Sequence, residues 1–585
     1  MMTRKYIIVL VAGLMSVGYL MAENNDSTIS RSVTVEREFQ PIIQNAGKLG
    51  VAPQRLETKL QEINIEYSER SFPVQTSFNV NPLQSSTTQF THPEPMCGYL
   101  EGALGYINSY LDFRYRLQPK KSIDINLFAY HDADWGTKTW SDSYVGMNFN
   151  KQFSDLNVFF AVRGGHNYFT RYGRYFAKDD SLHIAGYKDL THPGDRQHIW
   201  DVDASVGVRS AKGTPFQYLV QTGYFAYILP NAVAEHQIRT HANVAWEGAD
   251  HHAGLNLYVQ NAFLTLDSLR QDYEDTILSR HAMRIEPYYE YKDHNVSVHA
   301  GVNLDVNIGR GSMMSNSDNI SFAPSPNVSV EYRVVPELLA LYGGAEGKFG
   351  FGTLQEFMQS NPYRPMTNGV ISRHVCSYTP VDALLGLKIR PIDCFLIDVY
   401  ARYAYLKNQC VLYGQLHDFS HSSSIPNFYS TLDLDYFYSD WQRWTVGAEF
   451  TYHYQDIIRI KLAGHYYKWI QQSIENIPSY LSMYDNTAAY DRPSWDLNLD
   501  IHANIDSKWS IYTCNTFMGS RMVLTDRGDV KLKPTIDLNI GAEYKVNKWL
   551  ACYLQVNNLM NRMNYICYAY QTTGINGKIG VKWKF

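Results

Sequence analysis

From Asn295 to Ile308 the chain alternates without a fault. Val296, Val298, Ala300, Val302, Leu304, Val306 and Ile308 are apolar, and Asn295, Ser297, His299, Gly301, Asn303, Asp305 and Asn307 between them are not. With 45% of the residues hydrophobic, chance produces such a window roughly once in ten thousand. Successive side chains of an extended strand point to opposite faces. The pattern therefore dictates a ribbon with one oily and one wet side. It recurs in Trp200–Val208, Trp495–Ile505 and Ile536–Val546, and in weaker form along most of the chain after Met96.

A soluble sandwich alternates too, so three further features decide. The runs span roughly 11–14 residues, longer than the common 5–6 and enough for a tilted membrane strand of about 9–11. Their second face is polar along its whole length, as a wet lumen requires. The connections also come in two sizes that take turns. Short ones are expected near Gln118–Ser122, Gln152–Asp155, Ser210–Pro215, Glu247–Asp250, Lys292–His294, Val335–Glu337, Pro391–Asp393, Gln455–Asp456, Asp506–Lys508 and Asn547–Lys548. They hold Pro, Gly, Asp, Asn and Lys, residues suited to tight turns. These ten hairpins, with a first strand over Gly98–Ile107 and a last over Gly574–Phe585, predict about 22 antiparallel strands. Backbone polar groups in a bilayer need partners, and strands supply them all only by closing into a barrel. The long connections, near 166–197, 348–378, 406–440 and 469–493, then fall on the extracellular side. Tyr counts 45, and Tyr452, Tyr454, Tyr466, Tyr467, Trp469, Trp441 and Trp444 are expected at the membrane interfaces, where Tyr and Trp collect. Asp112, Arg114, Arg116, Arg209, Glu449, Arg459 and Lys461 are expected to line the lumen, setting selectivity or pairing with one another.

Residues 1–22 read as a cleaved secretory signal peptide. Arg4 and Lys5 precede an apolar run from Tyr6 to Leu20, too short for a span of about 20 residues, and Ala22 stands before Glu23. No later stretch is apolar enough for a transmembrane helix. The expected organisation is 1–22 leader, 23–96 periplasmic or lumenal segment and 97–585 transmembrane barrel, surrounded by outer-membrane lipid in a Gram-negative cell. The net charge is −5 and basic residues do not cluster, which excludes a nucleic-acid partner.

Chemistry-bearing motifs are few. Cys97, Cys376, Cys394, Cys410, Cys514, Cys552 and Cys567 form no CxxC pair. A disulfide among the loop cysteines stays open, and Cys552 falls in the apolar phase of a strand. His166, His183, His192, His251, His252, Asp433 and Asp435 are the residues a rim enzyme would draw on, but no GxSxG, HExxH or phosphate-binding Gly loop accompanies them. His251-His252 opens a strand and lacks further metal ligands. Asp433, Asp435 and Asp440 read as a solvated acidic loop, without the Gly turn of an EF-hand Ca²⁺ site. No catalytic, cofactor-binding or metal residue is assigned.

The last segment, Gly574-Ile-Asn-Gly-Lys-Ile-Gly-Val-Lys-Trp-Lys-Phe585, resembles the amphipathic, Phe-ending signal read by the outer-membrane assembly machinery. Leu554-Gln-Val-Asn-Asn-Leu-Met-Asn-Arg562 resembles the stretch before the last strand of TonB-dependent receptors, and Tyr568–Asn576 loosely their final hairpin. Gly98–Tyr106, the loop Gly352–Tyr363 with Asn361-Pro362-Tyr363, Val33–Pro41 and Lys48–Pro53 are similar to the Bacteroidetes-type TonB-dependent receptor-like barrels. The resemblance implies a transport or receptor barrel for an unidentified ligand, and as partners a TonB-type energising protein or a surface lipoprotein. A conventional plug of roughly 130–160 residues does not fit between Glu23 and Met96. Val33-Thr34-Val35 reads either as a remnant of a TonB box or as a short periplasmic strand. The alternative to transport is a scaffold barrel that binds partner proteins.

Overall fold

The computed structural model describes residues 97–136, 138–171, 175–177, 196–211, 214–230, 232–266, 278–309, 319–360, 363, 376–418, 429–475, 489–525 and 528–585. The leader and the segment 23–96, with Val33–Pro41 and Lys48–Pro53, lie outside the described residues.

Twenty-two antiparallel strands, from the 8 residues of Gly98–Gly105 to the 26 of Tyr429–Tyr454, close into one barrel. Each barrel strand pairs with its neighbours along the chain, and the last, Asn576–Lys584, pairs back onto the first. The rungs of that seam run from Tyr99 opposite Lys584 to Gly105 opposite Lys578. Closure leaves the wall no edge, which is what a spanning sheet requires.

Each of the ten short turns falls where turn chemistry places it, and all lie at the end of the barrel that holds Gly98 and Phe585. Local side chains build several of them. Asp506 accepts hydrogen bonds from the backbone N–H of Lys508 and Trp509, both at 2.7 Å. Asn547 does the same for Trp549 and Leu550 at 2.7 and 2.9 Å. Such Asx turns reverse the chain by satisfying its own amides. The two backbone donors also hold the Asp506 carboxyl below the usual range.

The alternation sorts the faces as expected. Val302 is 44% and Ile308 40% exposed, whereas Asn303 and Asp305 are 3% exposed. Leu104, Val145, Val206, Val244, Leu385, Val446, Leu554 and Ile579 continue the outward apolar belt around the barrel. Trp444, Tyr466 and Trp495 stand exposed toward the end away from the short turns, and Trp246, Trp509 and Tyr454 toward the short turns.

Three expectations are corrected. Trp441, Tyr467 and Trp469 are not interface residues. Trp441 is fully buried, Tyr467 donates to Asp496 at 2.6 Å, and Trp469 packs beside Trp441. On a strand whose outward phase holds Trp444 or Tyr466, residues of the other parity must point inward. The Tyr excess is therefore divided between the membrane and the lumen. Part of it covers inward glycines. A Cβ on Gly447 would meet the Tyr400 ring at 2.4 Å, and one on Gly541 the Tyr512 ring at 2.1 Å. Each glycine is the gap its neighbour's aromatic ring fills.

The stretch 406–440 is not a loop either. The strands Phe395–Asp418 and Tyr429–Tyr454 stay paired far past the belt, from Gln409 opposite Ser439 to Asp418 opposite Ser430. A register shift between Leu406 and Gln409, with Asn408 at φ 54°, marks where the extension begins. A bulge of this kind bends a strand. Asp433, Asp435 and Asp440 thus lie on a strand rather than in an acidic loop. Asp435 accepts from the Tyr413 hydroxyl at 2.9 Å, and Asp440 from the Asn408 backbone N–H at 2.8 Å.

Candidate functional site: the lumen and its extracellular closure

Several inward-facing charges are held in ion pairs within a strand or across one or two strands. Arg284 donates to Asp305 at 2.7 and 3.2 Å, Lys461 pairs with Glu449 at 3.1 Å, and Lys582 with Glu543 at 2.6 Å. Asp382 receives both Arg402 and, at 3.4 Å, Arg443. Asp112 pairs with Arg114 at 3.0 Å, and Arg116 with Asp124 at 2.8 Å. Of the lumen charges named from the sequence, Asp112, Arg114, Arg116, Glu449 and Lys461 are thus held in pairs.

One sector carries a denser polar network. Glu286 accepts from Asn256 at 3.1 Å and from Asn327 at 2.5 Å. Asn243 donates to Asn256 at 2.6 Å and to the Tyr288 hydroxyl at 3.2 Å. His299 shares a hydrogen with Glu290 at 3.0 Å. Five strands from Val233–Glu247 to Asn319–Val335 contribute, each through its wet phase.

The end of the barrel opposite the ten short turns is closed by a dry core. Strand tops supply Phe169, Ile199, Phe225, Tyr227, Leu229, Val233 and Leu264, all in the inward phase or the adjoining turn. Connections supply Leu354, Phe357, Met358, Tyr363, Val523, Leu532, Tyr565, Cys567, Tyr568 and Tyr570. The long hairpin adds Leu412, Leu434, Tyr436 and Tyr438 on one face. Its other face, with Val411, Tyr413 and Phe437, packs with Trp441, Tyr490 and Leu524 in a second core. Burial on both faces explains why the extension holds together away from the wall. Its flanks carry three more strands. Arg521–Thr525 pairs parallel to it and is followed by Gly528–Leu532, and Tyr175–Ala177 pairs on the opposite flank.

The middle of the closure is the short helix Leu354–Ser360. Gly352, at φ +62°, makes the turn into it. Thr353 caps it. Its hydroxyl accepts from the Glu356 N–H at 3.1 Å, and Glu356 accepts back from the Thr353 N–H at 3.3 Å, a capping box. Inward residues of distant strands hold this turn. Glu235, fully buried, accepts the Leu354 N–H at 2.7 Å. Arg239 donates to Gln355 at 2.8 Å, and Arg280 to the Gly352 carbonyl at 2.6 Å. The helix then bridges the mouth. Phe357 meets Tyr436 of the long hairpin edge-on at 5.2 Å. Beyond the helix, Tyr363 meets Phe169 at 5.6 Å and stacks on Tyr570 at 4.0 Å. Burial of the Glu356 carboxyl, opposed by its capping hydrogen bonds, pushes it up to about 7.

The structure does not gather the residues a rim enzyme would need. His166 lies on the outward face, His251 bonds Tyr289 at the short-turn end, and Asp435 sits in the extended hairpin. His183 and His192 lie outside the described residues. Among the described residues no three His, Cys, Asp or Glu side chains converge on a metal position, and no helix is long and apolar enough to cross a membrane. No disulfide joins any of the seven cysteines. The sequence reading missed Glu235, Phe357 and Tyr436. The one signal for the helix was Thr353-x-x-Glu356 inside a long connection.

No family model and no curated protein matches the chain. Solved structures match its fold. The FrpB iron transporter from Neisseria meningitidis aligns with a TM-score of 0.63 over 84% of this chain and 82% of that one, at 8% identity. The ferric-catecholate import receptor Fiu from K12 E. coli aligns at 0.59 over 84% and 82%, at 9% identity. The copper transporter OprC aligns at 0.59 over the same shares, at 11% identity. At such identities the likeness is one of fold. The order of strands, their closure and the outward belt give this chain the 22-strand barrel fold of these neighbours.

Proposed function

We propose that the protein is an outer-membrane uptake barrel whose passage is shut from outside by its own connections. The observation that carries this is the pairing of a wet lumenal wall with a dry core across the extracellular mouth. A polar interior has no value to a purely structural cylinder, and burying it unsatisfied is costly. A core made of loops drawn from around the mouth can part without unfolding the wall, because every wall strand keeps its own ladder. In this reading residues 1–22 are a cleaved leader. Residues 23–96, too few for a conventional plug, form a periplasmic or lumenal segment that a TonB-type partner engages. The named neighbours are an iron transporter, a ferric-catecholate import receptor and a copper transporter, and a chelated metal or a compound of similar size is the cargo class this reading favours.

Conductance in planar bilayers tests it. The wild-type protein should be quiet, and a variant lacking Leu354–Ser360 should conduct steadily. Silence of both would place the obstruction elsewhere and defeat the reading. A scaffold role is the second reading, and the extended hairpin with its flanking strands favours it. A stoichiometric surface partner that co-purifies and is lost on trimming Gln409–Ser439 would decide for the scaffold.

A further inference from the structure

On the outward face, near the extracellular ends of the strands Leu156–Thr170 and Arg196–Ser210, His166 Nε2 and His198 Nδ1 stand 3.1 Å apart. The register sets this pair. Tyr168 faces His198 and His166 faces Trp200 across the ladder, so the two imidazoles are diagonal neighbours on one side of the sheet. That side is the outer one, because Trp200 is 50% exposed whereas Ile199 belongs to the closure core. Each ring is braced from the side. Trp200 lies 4.2 Å from His166 and Tyr168 4.8 Å from His198, centroid to centroid. The two imidazoles themselves lie nearly parallel.

We propose that this pair is a chelating site for a divalent transition-metal ion on the outer rim of the barrel, independent of the transport reading. Two imidazole nitrogens on one tetrahedral ion, with bonds of about 2.0–2.1 Å, stand about 3.3–3.4 Å apart. The observed separation is within a few tenths of an ångström of that value. The imidazole χ2 torsion is broad, so a small ring rotation turns both lone pairs onto a shared ion with the backbone fixed. Imidazole suits Zn²⁺, Cu²⁺ and Ni²⁺. Among the described residues no third His, Cys, Asp or Glu joins the pair. His198 is exposed to solvent. The ring whose N–H makes the hydrogen bond carries its proton on its other nitrogen once the ion is bound, so both rings stay neutral and the ion ties two strands at the base of the connection they carry. Both ligands must be neutral, so acid competes with the metal.

The test is calorimetric titration of the full-length protein in detergent with Cu²⁺ and separately with Ni²⁺, alongside His166→Asn, His198→Gln and the double variant. A chelate needs both rings. Each single variant should therefore lose one equivalent of the tightest sites, or weaken it at least tenfold, as much as the double variant does. His251→Asn, which alters an outward histidine at the opposite end of the barrel, should change nothing at that site. Electron paramagnetic resonance of the first Cu²⁺ equivalent should report two nitrogen ligands in the wild type and one in either single variant. Because both residues face outward, the variants should keep the folded mobility of the barrel on unheated gels. Unchanged stoichiometry and affinity in the double variant, or no tight site in the wild type, would show that the pair is a hydrogen bond only and overturn the proposal.

Discussion

Gly98 and Phe585 exchange two backbone hydrogen bonds across the seam, Gly98 N–H to the Phe585 carbonyl at 2.6 Å and Phe585 N–H to the Gly98 carbonyl at 3.0 Å. The Phe585 ring fills the space a Gly98 side chain would need, for a Cβ there would stand 2.4 Å from it, and the ring also stacks near Tyr115 at 5.9 Å. The barrel closes on a glycine because its last residue is large. Gly98→Val should displace that ring at a cost of about 1–3 kcal/mol, typical of overpacking. Expected is a smaller folded fraction on unheated gels, partly recovered by adding Phe585→Leu. An unchanged fraction in Gly98→Val would mean the ring has somewhere else to go.

From the last strand, at the seam, Lys582 reaches across one strand to Glu543 at 2.6 Å, with both side chains largely buried. Removing one partner leaves a buried charge uncompensated, which costs about 3–5 kcal/mol, whereas removing both is far milder. Lys582→Met should therefore lower the urea midpoint of the barrel refolded in vesicles more than the double variant Lys582→Met/Glu543→Gln. Equal losses would argue against coupling.

Gly541 and Tyr512 make a sharper test of packing. Tyr512 lies over Gly541 in the lumen, and Gly541→Ala puts a methyl group into its ring. The single variant should be destabilised by about 1–3 kcal/mol, and Tyr512→Leu should restore much of it. The same vesicle unfolding assay reads the cycle.

Phe357 is buried in the closure against Tyr436. Cutting such a ring to Ala costs about 3–5 kcal/mol in a packed core. The wall strands do not depend on it. Phe357→Ala should raise bilayer conductance while leaving the urea midpoint of the wall within error. A lowered midpoint with no added conductance would make the residue part of the wall's stability instead.

The closure should also respond to pH. Glu356 is raised from an ordinary value of 4.5 to about 7 by burial, with Glu235 beside it as a second carboxyl and Arg239 and Arg280 as the nearby cations. An acid whose pKa is higher when the helix is docked holds its proton there more tightly than when released. Docking is thus strongest below about 4.5 and weakens as pH rises toward about 7. Conductance should climb between pH 5 and pH 8, and Glu356→Gln should flatten that climb. A rise in conductance toward acid would reverse the sign and rule out Glu356 as the titrating group.

The wall was legible residue by residue. Period-2 alternation fixed which side chains face lipid, as at Val302 against Asn303, and turn residues such as Asp506 and Asn547 placed the reversals. Both are local signals, carried by neighbours in the chain. They led astray where parity alone decides the face, since Trp441 and Tyr467 have interface chemistry but the inward phase. They also failed at 406–440, where strands continue beyond the belt because both faces of the extension are buried.

The sequence by itself determined a closed barrel of about 22 strands, since an alternating ribbon in lipid has no other way to pair its amides. Only the tertiary structure decided the closure. Glu235 and Leu354, Phe357 and Tyr436, Tyr363 and Tyr570 lie far apart along the chain, and nothing in their local spacing announces that they meet. A ladder repeats one rule between neighbours, whereas a core assembled from connections depends on where the completed cylinder brings their ends.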